Sequence, residues 1–218
     1  TNIGQSWQPT VVSNSVFSIS VNGNSVFVGC DTTLFSSTDS GISWSYVLFP
    51  NQTVQSLQTS GINVYAGTNN AVYKSTNNGQ NWITTSLNNN VYSMYASDPI
   101  VYAGTFGNGL YKSTNNGLNW SVGLDARYVS EIVLRDSVMY CAASGVFSSR
   151  DAGIFWLYTN LNSFDIRCIE KSNTYLLAGT FGNGLYRSSD NGQNWTSVNI
   201  GNPYVLALAT TGTYVFAG

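Results

Sequence analysis

Six tryptophans, Trp7, Trp44, Trp82, Trp120, Trp156 and Trp195, follow one another at spacings of 37, 38, 38, 36 and 39 residues. A glycine stands three positions before each (Gly4, Gly41, Gly79, Gly117, Gly153, Gly192), and Asp or Asn stands five before (Asn2, Asp39, Asn77, Asn115, Asp151, Asp190). Six occurrences in register define a repeat architecture. In such a chain each unit is one supersecondary element that buries its apolar face only against its neighbours.

Within one period the segment VYSMYASDPIVYAGTFGNGLYKS (91–113) reads as three short strands, VYSMYA, IVYAGT and GLYKS. Aromatic and β-branched residues fill the strands, and Gly, Asn and Asp-Pro separate them. A fourth strand is expected to start at the tryptophan. Four short strands per unit and no helical period make the chain all-β. The stretch STNNGQNW (75–82) then becomes the hairpin turn between third and fourth strands. Its Asp or Asn accepts bonds from backbone N–H groups of the turn, and its Gly supplies a positive φ. Its tryptophan buries a large ring between neighbouring units.

The pattern S-x-[DN]-x-G-x-x-[WF] resembles the Asp-box, or BNR, repeat. It stands here as STDSGISW, STNNGQNW, STNNGLNW, SRDAGIFW and SSDNGQNW, with a clipped TNIGQSW at the start. The resemblance covers essentially the whole chain. It implies a β-propeller of the sialidase and sortilin-like superfamily, with the boxes on the face away from any active site. It implies no one activity, because one propeller carries many.

Counting units gives six blades. The first residue of each inner strand and the residue aligned with the Gly of YAGT are always 13 apart: Val16 and Gly29, Val54 and Gly67, Val91 and Gly104, Val129 and Ala142, Ile166 and Gly179, Val205 and Gly218. A single propeller domain over 1–218 is therefore expected, with blades near 12–49, 50–87, 88–124, 125–161, 162–200, and 201–218 plus 1–11. The last is shared between the two termini and lacks one strand. The N-terminal SWQPTVV is expected to be its outermost strand, which removes a free sheet edge. With a blade one strand short, the chain is expected to be part of a longer protein, whose other domains would count among its partners.

Composition narrows the chemistry. Only 8% of residues are charged and the net charge is -2, so no basic field exists for nucleic acid. No apolar run is long enough to insert in a membrane as a helix. There is no histidine, and the three cysteines, Cys30, Cys141 and Cys168, lack metal-ligand spacing. No metal site and no cofactor are expected. A surface of Asn, Ser and Thr with few lysines fits a secreted or cell-surface protein.

In a propeller the loops joining second to third strands share one face around the central channel. Residues that vary there are site candidates; residues that repeat are scaffold. Two of these loops are the identical TFGNG (105–109 and 180–184), which bring Phe106 and Phe181 beside Asn108 and Asn183. Aromatic faces with amides suit a sugar, which presents both C–H faces and hydroxyls. The plainer reading folds both Phe rings into blade interfaces.

Inner-strand second positions are unalike: Phe17, Gln55, Tyr92, Ser130, Arg167 and Leu206. Third positions are Ser18, Ser56, Ser93, Glu131, Cys168 and Ala207, and are expected to face the narrow axis. Glu131 is the outlier, and residues 125–171 hold 11 of the 18 charges. A carboxylate site built from Glu131 with Asp165 or Glu170 is the one arrangement available for glycoside hydrolysis. The expectation set against it is that Glu131 pairs with Arg167 on the next inner strand. The sequence as a whole points to a non-catalytic recognition or structural module whose partner is a glycan or protein surface; a hydrolase centred on Glu131 is the alternative.

Overall fold

The computed structural model describes residues 12–162, 165–211 and 214–218. Residues 1–11, which carry the clipped box with Asn2, Gly4 and Trp7 and almost all of the expected N-terminal strand, lie outside them.

The chain is a β-propeller with no helix among the described residues. Five antiparallel sheets have four strands each, in chain order from the inner strand outward. Blade one holds β1 to β4 (Val16–Asn22, Ser25–Cys30, Thr33–Ser37, Ser45–Leu48), and blade two β5 to β8 (Val54–Ser60, Asn63–Thr68, Val72–Ser75, Ile83–Thr84). Blade three holds β9 to β12 (Val91–Ser97, Ile100–Thr105, Leu110–Ser113, Ser121–Leu124). Blade four holds β13 to β16 (Glu131–Arg135, Val138–Ala142, Gly145–Ser149, Leu157–Asn162), and blade five β17 to β20 (Ile166–Lys171, Leu176–Thr180, Leu185–Ser188, Thr196–Val198). A sixth sheet has two strands, β21 (Leu208–Thr211) and β22 (Tyr214–Ala217). Successive inner strands β1, β5, β9, β13, β17 and β21 touch one another around the axis.

The core lies between blades, not within them. One apolar cluster joins Phe27, Leu34 and Phe49 of blade one to Val54, Leu57 and Val64 of blade two, and four more repeat the arrangement round the ring. Four of the tryptophans sit where the sequence places them. Trp82, Trp120, Trp156 and Trp195 each pack, half-buried, on the cluster shared with the preceding blade. Each fourth strand starts one residue after its tryptophan rather than on it. The reason is that the ring still belongs to the turn: the indole N–H of Trp44, Trp82 and Trp195 donates back to the carbonyl of Gly41, Gly79 and Gly192 at 3.0, 3.0 and 3.1 Å.

The box turn has a hub that the sequence pattern alone does not reveal. In blade three the buried Ser113 hydroxyl donates to Asn115 Oδ1 at 3.0 Å and accepts the N–H of Gly117 at 2.9 Å and of Asn115 at 3.3 Å. Asn115 Oδ1 in turn accepts the Asn119 N–H at 2.9 Å. The same bonds recur around Ser37 with Asp39, Ser75 with Asn77, Ser149 with Asp151 and Ser188 with Asp190. Each of the five described boxes also has two successive left-handed residues, as at Asn116 (φ 57°) and Gly117 (φ 76°). Gly117 packs on Tyr65 of the blade before, so the turn doubles as a blade contact.

The third inner-strand position faces the next blade, which corrects the expectation that it faces the axis. Ser18 and Ser93 donate to the carbonyls of Val54 and Val129 at 3.2 and 3.3 Å, and Cys168 lies 3.5 Å from the Val205 carbonyl. A Cβ on the facing Gly104 meets both Ser93 Oγ and the Val129 side chain. The glycine of YAGT is therefore a packing requirement of the blade interface.

Candidate functional site at the channel mouth

Alternating strand direction sends the box turns to one end of each blade and the second-to-third-strand loops to the other. At that second end the inner strands carry a shared irregularity. Pairing of β1, β5, β9 and β17 with their neighbours shifts around the second position, leaving Phe17, Gln55, Tyr92 and Arg167 without a Cα partner. Such a bulge re-aims the side chain it carries. The bulge thus re-aims four of the six variable second positions, whereas the Ser130 hydroxyl donates to the Ile166 carbonyl at 2.7 Å.

Both TFGNG turns are built alike. The buried Thr105 hydroxyl donates to the Gly109 carbonyl at 2.7 Å and accepts the Asn108 N–H at 3.2 Å; Thr180 does the same with Gly184 and Asn183 at 2.8 and 3.0 Å. Turns so closed hold their phenylalanines outward. Phe106 is 59% exposed and Phe181 50%, so neither folds into a blade interface. Asn108 and Asn183 are also exposed, and Asn108 donates to Asn89 Oδ1 at 3.0 Å.

Each phenylalanine meets a tyrosine of the following blade. Phe106 bridges to Tyr128 and Phe181 to Tyr204, with ring centroids 5.5 and 4.9 Å apart, both edge-to-face. Tyr92 joins the first pair at 5.8 Å from Phe106 and 5.4 Å from Tyr128. Tyr128 and Tyr204 are site residues that the sequence reading missed. A signal existed: the slot just before each inner strand holds Ser15, Thr53, Asn90, Tyr128, Asp165 and Tyr204, and tyrosine appears only after the two TFGNG blades.

Arg167 links the two groups. Its guanidinium carbon lies 5.5 Å from the Tyr128 ring centre and 5.2 Å from that of Phe181, and its Nη2 pairs with Asp165 at 2.6 Å. Its Nε is buried with no hydrogen-bond partner in the structure. The result is a ledge of aromatic rings and one cation running across blades three to six.

The expected Glu131–Arg167 pair does not form. Arg167 sits on a bulge aimed at the mouth, while Glu131 lies one pleat step further in. Glu131 Oε2 accepts the backbone N–H of Ile169 at 2.7 Å, capping an edge strand of blade five. Burial pushes the Glu131 carboxyl up to about 7; the Ile169 N–H opposes this and the charge of Glu170 adds to it. Asp165 is held by Arg167, and Glu170 accepts from Arg135 at 3.1 Å and from the Thr210 hydroxyl at 3.0 Å. The carboxylates named for hydrolysis are therefore each engaged by a different partner.

No family model matches the chain, and no curated protein matches it. Solved structures do. YCF48 bound to D1 peptide aligns with TM-score 0.76 at 16% identity, covering 95% of this chain and 77% of that one. The extracellular domain of a putative one-component system from B. thetaiotaomicron aligns at 0.75 and 18%, covering 93% and 31%. An ancestral GH74 enzyme aligns at 0.73 and 24%, covering 99% of this chain but 40% of its own. At these identities the likeness is one of fold, and it extends to binding modules and enzymes alike.

Proposed function

We propose that this propeller is a non-catalytic recognition module, acting outside the cell, and that its partner binds at the channel mouth. One observation carries the reading: the two identical TFGNG turns each present an exposed phenylalanine to a tyrosine found only in the blades that follow them. Exposed aromatic clusters rimmed by amides and a cation are the composition of contact surfaces. A glycan is the first ligand to test, since Asn108 and Asn183 flank rings whose edges and faces suit C–H contact. A protein chain is the second, in keeping with the peptide bound by the YCF48 neighbour.

Hydrolysis is the weaker reading. It asks two carboxylates to share one substrate at roughly 5–10 Å, whereas Glu131 is committed to Ile169 and Asp165 to Arg167. The experiment is a panel of glycans, polysaccharides and peptides on the immobilised protein, scored for retention and for released sugar. Retention without release supports a recognition module. Release that disappears in Glu131→Gln overturns it.

A further inference from the structure

At the box end, the interfaces between blades are not alike. Between blades one and two, Ser20 meets Thr59 at 3.2 Å, Asn22 donates to the Gly61 carbonyl and Asn78 donates to Ser25 Oγ at 2.9 Å. Between blades two and three, Asp98 accepts from Asn63 and, at 2.7 Å, from Tyr65, while its N–H donates to Ser60 Oγ at 3.0 Å. Between blades four and five, Arg135 pairs with Glu170 at 3.1 Å and Tyr140 donates to Asn191 Oδ1 at 3.3 Å. Between blades three and four, apolar residues replace this polar lacing. Tyr95 and Leu134 align with Ser20 and Thr59, and Ile100 aligns with Ser25 and Asn63. Together with Tyr102 and Met139 they wall a cleft of about 440 Å³ beside the fourth box.

Box four departs from its fellows at the same place. In blades one to three the box is tied to the first hairpin of its own blade, by the N–H groups of Ser40, Asn78 and Asn116 on the carbonyls of Asn24, Ile62 and Pro99 at 2.8 to 3.0 Å. Ala152 makes no such bond to Ser137 among the described residues; its carbonyl instead accepts the Tyr102 hydroxyl and the Lys112 ammonium, each at 2.6 Å. The indole N–H of Trp156 is buried with no partner in the structure, whereas those of Trp44, Trp82, Trp120 and Trp195 all donate. The second box residue is Thr38, Thr76, Thr114 or Ser189 elsewhere, but here it is Arg150. Arg150 is exposed at the cleft and makes no hydrogen bond or ion pair among the described residues. Asp151 is the one acidic residue lining the cleft, and its Oδ1 is held inside the box by Ser149, Ile154 and Phe155.

A small-molecule pocket has apolar walls for the body of its ligand and a few polar groups that orient it. Here the walls are apolar and the unpaired polar group is a guanidinium, whose planar fork matches a carboxylate in two parallel hydrogen bonds. The Tyr95 and Tyr102 rings, 6.4 Å apart between centroids, favour an aromatic body. We propose that this cleft is a second binding site, on the box face and apart from the channel mouth, for a small aromatic carboxylate. The ligand's ring packs among Tyr95, Ile100, Leu134 and Met139, and its carboxylate pairs with Arg150.

The probe is 2-naphthoate, titrated into the 218-residue protein by calorimetry. Saturable one-to-one binding and a raised thermal midpoint are expected. The neutral 2-naphthamide binds at least about tenfold more weakly. Arg150→Thr, an exposed substitution that restores the residue of boxes one to three, weakens 2-naphthoate by a similar factor. Leu134→Gln, which puts an amide into the apolar wall, also weakens it. Phe106→Ala leaves it unchanged, so failure here is separable from failure of the channel-mouth reading. No saturation up to about 5 mM, equal affinity in Arg150→Thr, or loss of binding in Phe106→Ala overturns the proposal.

Discussion

The two ends of every blade obey different rules. At the box end, five turns repeat one hydrogen-bond set around Ser37, Ser75, Ser113, Ser149 and Ser188, and four tryptophans pack on the same kind of interface. At the mouth end, bulged positions carry Phe17, Gln55, Tyr92 and Arg167, and large rings stay exposed. Repetition of one hydrogen-bond set belongs to folding. Variation with exposed rings and an unpartnered Arg167 Nε is what the proposed recognition role rests on.

The largest expected effect breaks the box end. Trp120→Ala removes a half-buried ring from the blade two–three cluster and is expected to cost roughly 3 kcal/mol in denaturant unfolding. A loss below about 1 kcal/mol would refute the inter-blade role of the ring. Trp156 sharpens the point, because its indole N–H has no partner while that of Trp120 donates to Thr85 Oγ1 at 3.2 Å. Trp156→Phe is therefore expected to be milder than Trp120→Phe.

Glu131 marks the boundary between the two ends, and its effect depends on pH. Its folded value, about 7, lies above its ordinary one, so between roughly pH 4.5 and 7 the folded state binds more protons than the unfolded state. Stability from this group is full below that window and falls as pH rises through it. Glu131→Gln keeps an acceptor for the Ile169 N–H and is expected to stabilise at pH 8 by on the order of 2 kcal/mol, with no gain at pH 4. Equal thermal midpoints for variant and wild type at both pH values would contradict this. The boxes behave oppositely. Hydrogen bonds from Ser43 and Ser37 hold Asp39 at about 2, and those from Asn194 and Ser188 hold Asp190 there too, so their support is lost only as pH falls into strong acid.

Ser113→Ala strands the N–H groups of Gly117 and Asn115 and is expected to cost about 1–2 kcal/mol, read as a shift in unfolding midpoint. The smallest stability effect belongs to the mouth: Phe106→Ala and Phe181→Ala are each expected to change unfolding by no more than about 0.5 kcal/mol.

Much of the scaffold was legible because periodicity reports repeated positions directly. The expected strands 91–96, 100–105 and 109–113 match β9, β10 and β11 within a residue at each end, and the five described box glycines take the positive φ assigned to them. What stayed hidden is which side chain meets which across a blade interface. Neighbours there lie some 36 to 40 residues apart, and an error of two places exchanges one partner for another. Glu131 reaches Ile169, 38 residues on, and not Arg167, because Arg167 occupies a bulge that alternation along a strand does not announce. Tyr128 and Tyr204 were overlooked for a related cause: they precede their strands, and only the bridges to Phe106 and Phe181 show that they belong to the mouth.

The most direct test of the recognition claim compares wild type with the Phe106→Ala, Phe181→Ala double variant on the ligand panel, with unfolding measured on the same samples. The account predicts that retention of the bound class is lost while the unfolding midpoint stays put. Retention unchanged by the double substitution, or a stability loss of several kcal/mol, would contradict it and return these rings to the scaffold.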